Sequence, residues 1–266
     1  MKQKIYQVDA FTDKVFSGNP AAVCPLEEWL DAEIMQKIAA ENNLAETTFF
    51  VKKDDVIEIR WFTPTVEVDL CGHATLAAAF VLFFHENHRS DLINFHSHRS
   101  GPLSVRKDGD FLTLNFPSDI TKVTQLSEAI SKCFDKQPQL VLQGRTDYLL
   151  IYDKQEDITL LQPRFDEIAK LPVRGVIVSA KGNDVDFVSR FFGPQSGINE
   201  DPVTGSAHTT LIPYWSAVLN KQDLTAIQLS DRKGYLRCTN LNDRVEISGQ
   251  GKLYMIGEIF FLSPNH

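Results

Sequence analysis

The sequence predicts an α+β protein of two pseudo-symmetric halves, each a curled, mainly antiparallel sheet around a central apolar helix. Three observations carry this expectation. Short segments alternate apolar and polar residues with a period of two, as half-buried antiparallel strands do. One segment, Gly72 to about Glu86, is apolar nearly all round, which suits a helix enclosed by protein. Pieces of the first half also recur in the second, in the same order.

The strand pattern is plainest in "VIEIRWF" (Val56–Phe62), where Ile57, Ile59 and Trp61 share one face and Glu58 and Arg60 the other. "FLTLNF" (Phe111–Phe116) and "RVEIS" (Arg244–Ser248) alternate in the same way. The opening "MKQKIYQVDAF" also alternates like a strand and lacks the apolar stretch of a signal peptide. In "WLDAEIMQKIAAENN", Leu30, Ile34 and Ile38 recur at helical spacing. A short helix is expected over Gln125 to Phe134.

The recurrence begins with Arg60-Trp61-Phe62-Thr63-Pro64, echoed by Arg190-Phe191-Phe192-Gly193-Pro194. Each is followed by a short acidic loop that ends in Gly-X-Ala, Gly72-His73-Ala74 in one case and Gly205-Ser206-Ala207 in the other. "HRSGPLSV" from His98 then resembles "DRKGYLRC" from Asp231. The pattern predicts an internal duplication, with residues 1–120 as the N-terminal half and residues 121–266 as the C-terminal half. The second helix, from about Gly205, contains Pro213, which removes a backbone hydrogen bond.

Composition narrows the function. The chain has 266 residues, 43% of them hydrophobic, enough for a full core. Its net charge is -8 and no basic stripe is visible, which argues against nucleic acid and anionic membranes as partners. The apolar run Ala74 to Phe84 is too short to span a bilayer. Cys24, Cys71, Cys133 and Cys238 form no paired spacing, so a reduced, cytoplasmic protein is expected. Cys71 and His73 lack a second ligand pair nearby, so no metal is expected. No glycine-rich nucleotide fingerprint is present, and no cofactor is expected.

Helix starts carry unpaired N–H groups and partial positive charge. Gly72-His73 and Gly205-Ser206 therefore read as two anion-binding helix starts. In related halves both can face one cleft, and a small carboxylate-bearing metabolite is the natural ligand.

"VDAFTDKVFSGNPAAV", "NLAETTFF", "DLCGHATL" and "NEDPVTGSAH" together resemble the phenazine-biosynthesis PhzF-like isomerases, and the resemblance runs over nearly the whole chain. It implies the diaminopimelate-epimerase fold, a cofactor-independent proton shift within a small carboxylic acid, and a homodimer. Relatives act on a dihydro-hydroxyanthranilate. Glu46 is implied as the catalytic acid/base. His73, Asp201 and Ser206 are implied to hold the substrate and assist the proton movement. The backbone around Gly72, Ala74, Gly205 and Ala207 is implied to bind its carboxylate, with Asn19 bordering the cleft. Ala45 stands where the family often has serine, which removes one hydroxyl from the expected substrate contacts.

Taken alone, the same residues have plainer readings. Glu46 reads as a solvated loop carboxylate, His73 and Asp201 as caps, and Ser206 as an ordinary first-turn residue. Cys71 before an apolar helix reads as inert packing. Two other functions compete: a two-base racemase or epimerase using Cys71, and a catalytically idle scaffold that binds a metabolite or a protein.

Overall fold

The computed structural model describes residues 1–53 and 56–261, so the last five positions of the expected C-terminal half, 262–266, lie outside the described residues. Contacts divide the chain into two compact units, Met1–Asn115 with the stretch from Ser248, and Phe116–Ile247. The division differs from the expected halves at the C-terminus. There the Gly251–Phe260 strand pairs antiparallel with Lys2–Ala10, from Ala10 opposite Gly251 to Lys2 opposite Phe260. Short repeats carry no information about where a last strand will pair.

In the first unit Lys2–Ala10 also pairs antiparallel with Asn19–Leu26, which runs parallel to Glu46–Lys53. Val56–Phe62 pairs antiparallel with Glu46–Lys53 and parallel with Leu92–Ser97. Hairpins join Leu92–Ser97, Gly101–Asp108 and the start of Phe111–Pro117. Most of these pairs are antiparallel, as expected, and two are parallel, so the sheet is mixed. Alternation reports half-burial and not strand direction, whereas a helix between strands permits the crossover that parallel pairing requires. Ala32–Asn42 and Gly72–Phe84 are the two crossover helices. In Val56–Phe62, Ile57, Ile59 and Trp61 are buried and Glu58 and Arg60 half-buried, as the alternation predicts.

The Ala32–Asn42 helix starts after Leu30, so only Ile34 and Ile38 of the expected stripe lie on it, and it ends at Asn43 in the left-handed region at φ 50°. The Gly72–Phe84 helix ends two residues before Glu86. His73 to Ala79 and Val81 to Phe83 are buried along it. It packs against Lys2–Ala10, Asn19–Leu26, Glu46–Lys53 and Gly251–Phe260. Its three consecutive alanines, Ala77, Ala78 and Ala79, are fully buried. Small side chains let strands come close, and a Cβ on Gly251 would sit 2.7 Å from the Phe80 ring.

In the second unit Asp147–Ile151 runs parallel to Gly175–Lys181, and Phe187–Gly193 runs parallel to Asp223–Gln228. The crossovers carry the short helices Gln155–Leu160 and Phe165–Ile168 and the long helix Gly205–Leu219, which contains Pro213. The helix expected over Gln125 to Phe134 is only Glu128–Ser131. Ser127 Oγ accepts from the Ile130 N–H at 3.2 Å and sets a late start, while Phe134 leaves to bridge Pro163. No helix among the described residues is long and apolar enough to cross a membrane.

The close packing of the Gly72–Phe84 helix gives a direct expectation. Ala78→Leu should destabilise the protein by about 1–3 kcal/mol, the usual cost of overfilling a packed core. Urea unfolding checks this, and unchanged stability would show spare room around the helix.

Candidate active site

The first unit assembles four side chains from three parts of the chain. Asn19–Leu26 and Glu46–Lys53 are parallel neighbours with Ala21 opposite Glu46, so Asn19 and Glu46 both open their strands at the same end. Thr48 Oγ1 donates to the Ala74 carbonyl at 3.4 Å and ties the start of the Gly72–Phe84 helix to this edge. His73 then points its ring among Asn19, Glu46 and Cys71. Its Nε2 lies 3.1 Å from Glu46 Oε2. Its Nδ1 lies 3.2 Å from Asn19 Nδ2 and 3.4 Å from Cys71 Sγ. Asn19 is fully buried, His73 is 4% exposed and Cys71 8%.

The Glu46–His73 contact has the distance of an ion pair but not the alignment of a hydrogen bond, and both Oε2 and Nε2 are buried without a hydrogen-bond partner. Such orphaned atoms are costly unless something completes them. Burial works against a charged imidazole at His73, but the Cys71 sulfur and the Glu46 carboxylate outweigh it and hold its pKa well above the usual value. Burial, and then the Glu46 charge, push the Cys71 thiol up. With the Asn19 amide nitrogen facing Nδ1, Nδ1 accepts and the ring proton sits on Nε2. Turning that amide over suits the doubly protonated ring. In either form Nε2 carries its proton beside Glu46, without the alignment of a hydrogen bond.

Glu46, Cys71 and His73 also place a carboxylate, a thiol and an imidazole nitrogen within 4.8 Å of one another, a set that could hold a metal ion. The spacing of Cys71 and His73 gave no sign of this, because the third donor comes from a strand far away in sequence. The thiol and the carboxylate meet opposite nitrogens of one ring, so a single ion would have to replace one of the two contacts.

In the second unit Asp201 ends the Ile198–Asp201 strand, and Thr204 precedes the Gly205–Leu219 helix as its N-cap. Gly205 and Ala207 are buried at the helix start and Ser206 is exposed. Arg174 Nη1 donates to Ser206 Oγ at 2.9 Å, and the same guanidinium forks onto the buried Asp147. His208 Nδ1 donates to the Thr204 carbonyl at 2.8 Å, while its Nε2 is buried without a hydrogen-bond partner. Burial depresses His208 to about 4.

Asn19, Glu46, Gly72, His73 and Ala74 thus come together in the first unit, and Asp201, Gly205, Ser206 and Ala207 in the second. Sequence reading passed over Arg174, Thr204 and Gln228, and treated Cys71 as packing. Gln228 carried a usable signal: it falls on the apolar side of an alternating strand, where Leu224 and Ala226 are also buried.

A fold of mixed sheets with helical crossovers, holding a buried carboxylate against an imidazole, fits an enzyme that moves protons. The chain matches the family model of phenazine biosynthesis-like proteins, PhzC-PhzF, over residues 8–257, and it belongs to that family. An uncharacterized isomerase of Pseudomonas aeruginosa is 49% identical over 259 residues, covering 97% of this chain and 99% of the relative. A crystal structure of a PhzF-family protein of Enterococcus faecalis superposes with a TM-score of 0.96 at 44% identity, covering 98% of this chain and 100% of that one. A hydroxyproline epimerase of Agrobacterium vitis, solved with bound trans-4-hydroxy-L-proline, shares the fold at a TM-score of 0.62 and 9% identity, covering 99% of this chain and 94% of that one. The chain is an isomerase.

The two buried histidines should titrate in opposite directions. A raised value at His73 adds stability that is complete below its unfolded pKa of about 6.5 and is lost as the pH rises through the folded value. The depressed value at His208 costs stability as the pH falls from about 6.5. Nitrogen NMR should find His73 protonated above the ordinary histidine range and His208 neutral until about pH 4. Glu46→Gln should bring the His73 titration down; a value near 6.5 in both proteins would contradict the contact.

Proposed function

We propose that this isomerase shifts a proton within a small carboxylic-acid metabolite without a cofactor, and that Glu46 carries the proton. The observation behind this reading is the buried Glu46 carboxylate facing His73 Nε2 at 3.1 Å with neither atom in an aligned hydrogen bond. Glu46 takes a proton from one carbon of the substrate, and the electron pair moves into the adjoining unsaturated system. Glu46 then returns the proton at another carbon. One C–H bond breaks, one forms, and the double bonds move without net oxidation. His73 Nε2–H stabilises the charge that develops near Glu46. N–H groups at the start of the Gly72–Phe84 helix, around Gly72 and Ala74, hold the substrate carboxylate, and those around Gly205 and Ala207 are the second unit's anion-binding helix start. Asp201 and Ser206 hold its remaining polar groups, and Asn19 sets the His73 ring.

A thiol and a carboxylate on opposite nitrogens of one imidazole suit the passing of a proton better than chelation. A two-thiol epimerase is less well supported. Cys71 is held toward its protonated form, and no cysteine lies between Asn199 and Pro213. We place the protein in the cytoplasm, which four buried, free cysteines support. We also read the two units as an internal duplication. In one unit Arg60 forks onto Glu67 with its guanidinium 5.2 Å from the Phe62 ring centre. In the other Arg190 forks onto Glu200, 4.9 Å from Phe192.

Proton NMR in heavy water on a panel of small carboxylic acids, a dihydro-hydroxyanthranilate included, tests the reading. The wild type should isomerise at least one acid, and Glu46→Gln should lower that rate by about 10²–10⁴-fold while still folding. Cys71→Ala should keep most of the activity. Near-normal turnover in Glu46→Gln would remove Glu46 from the mechanism, and abolition by Cys71→Ala would favour the two-thiol reading.

A further inference from the structure

Gln228, the last residue of the Asp223–Gln228 strand, is fully buried. A buried amide needs partners, and Gln228 makes three hydrogen bonds. Its Oε1 accepts from the Thr204 N–H at 2.8 Å. Its Nε2 donates to the Asp201 carbonyl at 2.7 Å and to Thr204 Oγ1 at 3.1 Å. Chemistry fixes the orientation of this amide. A backbone N–H only donates and a backbone carbonyl only accepts, so the oxygen must face Thr204 and the nitrogen Asp201.

The polarity then passes along the chain of bonds. An amide NH2 only donates, so Thr204 Oγ1 accepts from it and turns its own hydrogen to Asp201 Oδ2, 2.6 Å away. The Thr204 carbonyl is held by His208. Every polar group of Thr204 is therefore engaged, and the turn from Asp201 to the helix start at Gly205 is tied down.

We propose that Gln228 is a positioning residue that acts through Thr204, holding Asp201 Oδ2 as a hydrogen-bond acceptor and fixing the start of the Gly205–Leu219 helix. The proposal rests on the reading of Asp201 as a site residue. Gln228 itself does not meet the substrate. Without its amide, the Thr204 hydroxyl is free to reverse, and Asp201 Oδ2 loses a hydrogen bond that favours its charged form.

Gln228→Leu removes the polar chain at nearly constant size. Three readouts apply: thermal unfolding, carbon NMR titration of the Asp201 carboxylate, and kcat/KM on the acid that the wild type isomerises. The variant should fold, and Asp201 should titrate at higher pH than in the wild type. Its kcat/KM should fall about tenfold, the effect of losing one hydrogen bond of about 1.4 kcal/mol. In an Asp201→Asn background the same change should cost less than about twofold, because the two residues act as one unit. A merely structural role would lower the unfolding temperature but leave the Asp201 titration unchanged and cost as much in that background; either result would overturn the proposal. Should Gln228→Leu fail to fold, Thr204→Val breaks the same chain at the hydroxyl, and an unchanged Asp201 titration there overturns it equally. If the wild type isomerises no acid, the isomerisation mechanism fails, while the titration still decides what Gln228 does to Asp201.

Discussion

A carboxylate and an imidazole set 3.1 Å apart, each with an oxygen or nitrogen cut off from water and from aligned partners, form the arrangement on which the account of this protein depends. Burying such a pair does not stabilise a fold by itself, since desolvation offsets the attraction. The surrounding structure has to hold it in place. The parallel pairing of Asn19–Leu26 with Glu46–Lys53 brings Asn19 and Glu46 to one edge, and the Thr48–Ala74 hydrogen bond locks the helix start against it. The alanine-rich helix behind His73 allows the approach. Unsatisfied buried polar groups of this kind are found at functional sites because the chemistry uses what stability alone would remove.

The two units show how the same local chemistry can be built twice from different neighbours. Each has an arginine forked onto a glutamate and lying over a phenylalanine, and each has a long helix bridging two parallel strands. They diverge where function enters. The first unit carries a carboxylate beside a histidine that favours its proton; the second carries a histidine, His208, that burial keeps neutral. The second unit also spends a buried amide on fixing a single turn, which is a strong restriction for three residues of loop.

Much of this was legible in the residues themselves. Alternation located the strands, and the nearly continuous apolar run located the buried helix, because burial imposes those periods directly. The repeated arginine motifs mark real paired contacts. The motifs around Glu46, His73 and Asp201 supplied the candidate residues; the structure sets Glu46 beside His73 in one unit and Asp201 at the end of a short strand in the other. What stayed hidden depends on the third dimension. Strand direction does not alter alternation, so the parallel pairs were missed. The return of Gly251–Phe260 to Lys2–Ala10 is a pairing between the two ends of the chain. Cys71 comes near Glu46, and Gln228 meets Thr204 and Asp201, from distant parts of the chain, and the only local sign at Gln228 was a polar residue on an apolar face.

The central claim is that one carboxylate removes the proton and gives it back within a site closed to water. A substrate deuterated at the carbon that loses its hydrogen tests this most directly when it is converted in ordinary water and the product is analysed at the earliest turnovers. The account predicts that part of the deuterium reappears on the carbon that gains the hydrogen, carried there by Glu46. Complete loss of the label to solvent from the first turnover would contradict it.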